Sequence, residues 1–433
     1  MGHRYVHNGT WTFEDQFTSP WHYLPVEVGA SAGALRVELE YERSGAVLDL
    51  GCLGPSGFRG WSGGARDSFV IAADAATPGY LPGELEPGVW QVIIGLHMVP
   101  ADGVRYRVTA ETLAGCGAAS SEAAAGTRRL PDGWLDAPLE APPVPAQRPA
   151  RRDLPAAPGR RWLAGDLHSH TVHSDGVMTV PELACFAAGK GLDFVAVTDH
   201  NTVSHHRELP AASARYDVTL LPGQEVTTAH GHAGVLGDTG WIDFRQPADG
   251  WLDAAEAGGG LMSVNHPIAG PVSWLHAMRR RPPLVEVWHW SWLDLTWTTP
   301  LAWWQAWDPA SIPVGGSDWH RPGSDAPIGT PTTWIEAECD AGPGDAGGTA
   351  GRAGPGAILD ALRAGRVTIS ADRDGPLLLR HDGDLVAVGA DGLILAGPDG
   401  GYRRVRDDLA RLPGAPGYHR LLTPAGATAA LAP

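Results

Sequence analysis

One event recurs along the middle of this chain and constrains its fold more than any other feature: a short apolar run ends on a residue able to bind a metal or carry a proton. Arg161-Trp162-Leu163-Ala164 leads to Asp166, His168 and His170; Asp193-Phe194-Val195-Ala196-Val197 delivers Asp199 and His200; Val218-Thr219-Leu220-Leu221 leads to Glu225. Leu261-Met262-Ser263-Val264 leads to His266, and Ile312-Pro313-Val314 to Asp318 and His320, whereas Gly231-His232 precedes its run, Ala233-Gly234-Val235-Leu236. Such runs read as buried strands. Thr179 ahead of Pro181 and Glu182 marks a helix start, and Gly191 suits the position just past its end. Strands alternating with helices build a parallel, barrel-like α/β sheet, and such barrels carry chemistry at the C-terminal ends of their strands.

The first of these sites is the densest: Gly165-Asp166-Leu167-His168-Ser169-His170-Thr171-Val172-His173-Ser174-Asp175-Gly176. Residues two apart on an extended chain point the same way, so His168 and His170 face one spot, and a Ser-Asp-Gly turn can bring Asp175 back to it. Mixed nitrogen and oxygen ligation suits zinc, manganese or iron. A lone His-x-His pair fits hydrogen-bonded strand ends as well; the repetition downstream favours metal. His173 faces away and is expected at the surface or behind the ligands. Asp166 and Asp199 precede histidines and either orient them or cap turns. Spacing does not separate His230 from His232. Arg321 either meets a substrate anion or lies exposed, and the run Trp288, Trp290, Trp292, Trp297, Trp303, Trp304 and Trp307 reads as packed core ahead of a pocket wall for a flat substrate.

Elsewhere the signals are structural. Residues 1–115 read as an all-β sandwich domain, with alternation in Leu35-Arg36-Val37-Glu38-Leu39-Glu40-Tyr41 and Tyr106-Arg107-Val108-Thr109-Ala110, while residues 54–64 are too glycine-rich for a strand interior and read as a loop. Residues 116–160 form a Pro/Ala-rich linker, 161–375 the barrel, and 376–433 a short β-rich extension; Pro355–Ala364 reads as a helix before the strand Val367-Thr368-Ile369-Ser370. A formal charge of −17 leaves no basic footprint for a nucleic acid polymer or an anionic membrane. The 4 cysteines are scattered with no C-x-x-C spacing, so neither a disulfide framework nor a zinc ribbon is suggested. With no leader and no membrane-length apolar run, a cytoplasmic location is the default expectation.

Taken together, DLHSHTVHSDG, FVAVTDHNT, GQEVTT, GHAGVLG, SVNHP and GGSDWH resemble, in order, the motifs of the PHP (polymerase and histidinol phosphatase) metal-dependent hydrolases. The β-rich region ahead of them makes the carbaryl-hydrolase-type (CehA/McbA-like) branch the most similar. The resemblance implies a distorted (β/α)7 barrel and two or three divalent ions. It places His168, His170, Glu225 and Asp318 around one metal, Glu225 bridging to a second held by His232 and His266, and Asp175, His200 and His320 around a third. An aspartate at 175 departs from the form with histidine there. Three divalent ions against three carboxylates leave a positive well, which suits a phosphate. The expected activity is therefore hydrolysis of a small phosphate mono- or diester by a metal-bound hydroxide, with Glu225 in the catalytic set and His232 or His320 protonating the leaving group. An ester or carbamate hydrolase using the same metals is the second expectation, and a non-catalytic, metal-stabilised binding module the third.

Overall fold

A computed structural model describes residues 3–114, 141–145, 147–292, 296, 298–323, 326–339 and 351–433. The chain divides into two compact units, Met1–Glu140 with Val172–Asp175, and Ala141–Thr171 with Gly176–Pro433. Residues 116–140 and 146 of the expected linker lie outside the described residues, as do residue 115 and Trp297.

The first unit holds two four-stranded antiparallel sheets. One is ordered Arg4–Trp11, Val104–Ala114, Ala32–Tyr41, Ser68–Ala72; the other Trp21–Val28, Gly88–Met98, Val47–Gly54, Gly57–Gly63. Alternation sends Leu35, Val37 and Leu39 from one sheet and Val26, Leu48, Leu50, Val92 and Ile94 from the other into a single core, each fully buried side chain contributing about 1.5–3 kcal/mol. A short helix, Phe13–Thr18, interrupts the β pattern and is closed by a capping box between Thr12 and Asp15.

One reading changes here. Gly57–Gly63, expected as a loop, is a strand. Two of the glycines provide clearance rather than turns: a Cβ on Gly51, opposite Trp61, would collide with the Trp61 indole, and one on Gly60, at φ 151, with Tyr80. Arg59, in the same strand, stacks on Trp90 at 4.6 Å and donates to the carbonyls of Leu81, Gly83 and Glu84. His173 is not at the surface either. It is buried, its Nδ1 accepting the Gly79 N–H at 3.4 Å, while Arg66 donates to the carbonyls of Val172 and Ser174.

In the second unit, seven strands run in the order Ile312–Gly316, Leu284–His289, Leu261–Val264, Gly231–Leu236, Thr219–Thr228, Phe194–Val197, Arg160–Asp166. All are parallel except Gly231–Leu236, which is antiparallel to both neighbours. Phe194–Val197, Leu261–Val264 and Leu284–His289 are buried at every residue, as parallel strands covered on both faces must be. The helix Val180–Gly189 starts at a Thr179–Glu182 capping box, and Gly191 takes φ 74 just beyond it. Past Arg160–Asp166 the sheet continues antiparallel through Thr332–Glu338 and Val367–Ser370 into C-terminal strands, and a separate three-stranded sheet combines Leu377–His381, Asp384–Val388 and Leu409–Leu412. An isolated parallel bridge joins Ser169 to Trp319, beyond the ends of the first and last parallel strands. Trp288, Trp292 and Trp304 pack with Val285, Val287 and Leu301 in one core cluster. Among the described residues no helix is long and apolar enough to cross a membrane.

Candidate metal centre

The strand ends explain why distant residues meet. His168 and His170 lie just beyond Arg160–Asp166, His200 beyond Phe194–Val197, His266 beyond Leu261–Val264, and Asp318 and His320 beyond Ile312–Gly316. His232 opens its strand instead of following it, but that strand runs in reverse, so its beginning shares the rim where its neighbours end. Glu225 sits within Thr219–Thr228, opposite Gly234. Two of the turns use backbone that only glycine adopts freely: His266 at φ 25 and Asp318 at φ 49.

Glu225 is completely buried and is the hub of the site. Its Oε1 lies 3.0 Å from His168 Nε2, 3.2 Å from His266 Nε2 and 3.4 Å from His232 Nδ1; its Oε2 lies 2.9 Å from His200 Nδ1 and 3.6 Å from His170 Nε2. Asn265 Nδ2 donates to Oε1 at 2.9 Å. Asp318 Oδ1 lies 3.1 Å from His168 Nε2 and 3.0 Å from His170 Nε2. The His170 ring stacks on those of His200 and His320 at 4.3 and 4.2 Å. Outer partners fix several rings: the His320 Nδ1–H donates to the Asp318 carbonyl at 2.7 Å, and His200 Nδ1 meets Thr227 Oγ1 at 2.6 Å.

These donors fit a divalent cation. Of the atoms that face one another here, His168 Nε2, Glu225 Oε2 and His232 Nδ1 are buried without a well-aligned hydrogen bond, a costly condition unless another group satisfies them. Ligand atoms of His168, His170, Glu225 and Asp318 all lie within 4.8 Å of one another, as do those of His200, Glu225 and His232, and those of His170, His200 and His320. Imidazole with carboxylate is the donor mixture of zinc, manganese and iron sites.

Charge follows the same geometry. Burial alone would push the carboxyls of Glu225 and Asp318 up, but the surrounding imidazoles outweigh it and hold both well below the usual carboxylate range. For His168 burial favours the neutral ring, yet Glu225, Asp318 and Glu286 raise it well above its ordinary value. His170 goes the other way, to about 4, through burial and then the neighbouring His320 and His200.

The structure thus gathers His168, His170, His200, Glu225, His232, His266, Asp318 and His320. Asp175 is exposed and belongs to the segment that groups with the first unit. His230 is exposed, its ring 5.8 Å from that of His276, so His232 is the one that faces Glu225. Arg321 is exposed. Asp166 orients backbone rather than an imidazole: it accepts from His168 N, Ser317 N, Ser317 Oγ and Gly329 N. Asp199 accepts from the N–H and hydroxyl of Thr171 and lies 3.1 Å from His205. Sequence reasoning missed Glu286 and His289. Glu286 Oε1 lies 3.1 Å from His168 Nδ1, and His289 Nε2 lies 3.4 Å from Asp318 Oδ2. Their signal was present, since Leu284–His289 is another apolar run ending on ligand-type residues, but it was submerged in the tryptophan-dense stretch.

Comparison with known proteins finds local similarities. No family model matches the chain. A 3',5'-nucleoside bisphosphate phosphatase of Chromobacterium violaceum is 38% identical over 87 residues, 19% of this chain and 29% of that protein. A 5'-3' exoribonuclease of Haemophilus influenzae is 35% identical over 63 residues, 14% of this chain and 23% of its own length. The chain therefore spans less than a third of either relative. A solved two-domain protein from Bacteroides vulgatus, described as containing a predicted PHP-like metal-dependent phosphoesterase, overlaps 66% of this chain and 91% of its own at 16% identity, with a TM-score of 0.41. In motif order the chain resembles the PHP metal-dependent hydrolases, and its similarity to the two curated relatives is confined to the segments given.

Proposed function

We propose that this chain hydrolyses a small phosphate mono- or diester at a cluster of two or three divalent ions. The observation that supports the reading is the convergence of imidazole and carboxylate groups on buried Glu225, with His168 Nε2 and His232 Nδ1 making no well-aligned hydrogen bond. His168, His170, Glu225 and Asp318 would hold one ion, Glu225, His232 and His266 a second, and His200 and His320 a third, with Asp175 assigned to the third from the sequence pattern. Zinc, manganese or iron bound there would polarise phosphoryl oxygens and lower the pKa of a water. Three carboxylates against those charges leave the cluster positive inside a chain of formal charge −17, so the substrate is drawn to the site and not to the general surface. His232 and His320 keep 11% and 23% side-chain exposure, against 1% and 0% for His168 and His170. His200 is as open, at 22%, but its Nδ1 meets Thr227 Oγ1 and Glu225 Oε2, and we assign proton delivery to the leaving oxygen to His232 or His320. We read the second unit as a distorted (β/α)7 barrel and the paired sheets of the first as a sandwich, the arrangement of the carbaryl-hydrolase-type branch.

The test is a broad panel of phosphate esters with metal-reconstituted protein. Phosphate release that vanishes with chelator and in His266→Ala is expected. No release across the panel, or faster cleavage of an aryl methylcarbamate than of an aryl phosphate, overturns the proposal.

A further inference from the structure

The strand Leu284–His289 contributes nothing to the proposed ligand set, yet two of its side chains turn into the centre. Glu286 is buried; its Oε1 lies 3.1 Å from His168 Nδ1, and its Oε2 accepts the His266 backbone N–H at 2.8 Å. Glu286 Oε1 is placed to accept from His168 Nδ1, so a ring proton is held there and Nε2 is the nitrogen left facing Glu225 and Asp318, the one that would give up its proton to bind a cation. The same carboxylate pins the backbone of His266 where it takes its unusual φ of 25. Space for it exists because residue 316 is glycine, where a Cβ would collide with Glu286 Oε1. His289 works from the other side. The Ser291 N–H donates to His289 Nδ1 at 3.3 Å, which leaves the ring proton on Nε2, facing Asp318 Oδ2. His168, Glu286 and His289 do bring ligand atoms within 4.8 Å of one another, but both Glu286 oxygens already have hydrogen-bond partners, His168 Nδ1 and the His266 N–H.

We propose that Glu286 and His289 are positioning residues of the metal centre: Glu286 sets the tautomer of His168 and the seat of His266, His289 holds the second oxygen of Asp318, and neither binds metal. The assignment rests on the metal-centre reading above. One carboxylate serving two ligands is more exacting than a single hydrogen bond. A glutamine in its place has one carbonyl oxygen to accept with, and presents its NH2 to whichever donor remains.

The experiment measures zinc affinity by chelator competition and the visible spectrum of the cobalt(II)-substituted full chain, with melting of the metal-free protein as control. Glu286→Gln is expected to bind zinc about 10–100-fold more weakly and to shift the cobalt bands. Its metal-free melting should fall by no more than about 5 °C. His289→Gln, which still donates, stays within about threefold of wild type, while His289→Leu loses about tenfold. Unchanged affinity and spectra overturn the assignment. So does a Glu286→Gln protein that fails to fold or melts far lower when metal-free, since the residue is then a structural support. A wild-type chain that takes up no divalent cation overturns the metal-centre reading as well, whereas a wild type that binds beside unchanged variants overturns this assignment alone.

Discussion

Replacing Glu225 by glutamine asks whether one carboxylate organises the centre. The amide is nearly isosteric, so packing is retained and charge is what disappears. Oε1 and Oε2 between them face five imidazoles at 2.9–3.6 Å and accept from Asn265. Removing one partner of a buried charged cluster typically costs about 3–5 kcal/mol. The metal-free variant is therefore expected to lose about that much, a drop of roughly 5–8 °C in the melting of the second unit. Metal widens the gap. At a free concentration about 100 times its Kd, a cation stabilises the wild type by about 2.7 kcal/mol, or roughly 4 °C, and the variant should gain little of this. Calorimetry in chelator and in added zinc or manganese reads both terms. A variant that melts like wild type in chelator and gains the same increment with metal would falsify the view of Glu225 as the hub.

Two further outcomes follow from buried carboxylates outside the ligand set. Burial pushes the Asp49 carboxyl up to about 7; between its unfolded value and that pH the native state holds the extra proton, so stability falls as pH rises from about 4 to 7, by at most about 4 kcal/mol. Its edge is partly exposed, which keeps the cost below that ceiling. Asp49→Asn should stabilise the first unit at pH 8 but not at pH 4, and a difference independent of pH in urea titrations counts against this. Asp166→Asn cannot accept from all of the donors that Asp166 now satisfies. A loss of about 2–4 kcal/mol with weakened metal binding is expected, and a loss under about 1 kcal/mol in denaturant titration refutes the role.

Much of the site was legible because its signals are local. An apolar run followed by a ligand-type side chain is a statement about a few consecutive residues, and it led to His168, His170, His200, Glu225, His266, Asp318 and His320, which the structure gathers. The helix start at Thr179 and the glycine just past its end, Gly191, were readable for the same reason. Glu286 was not, because a carboxylate's part in a metal centre depends on which imidazole lies behind it, and His168 stands 118 residues away along the chain. His230 and His232 share spacing and type, and only the pairing of Gly231–Leu236 with its neighbours decides which faces Glu225. The strand Gly57–Gly63 was hidden by a similar limit: glycine content signals a turn until Trp61 and Tyr80 are seen to need the space.

The sequence alone, then, determined the chemistry available: which side chains stand at strand ends, and that imidazole and carboxylate dominate them. Tertiary structure decided how they are used. Reversal of one strand brought His232 to the common rim, and the Leu284–His289 strand placed an acceptor behind His168 and a donor behind Asp318. The physical reason is range: strand and helix signals come from neighbours in the chain, whereas ligand orientation, tautomer and burial are set by contacts among residues that only the folded sheet makes adjacent.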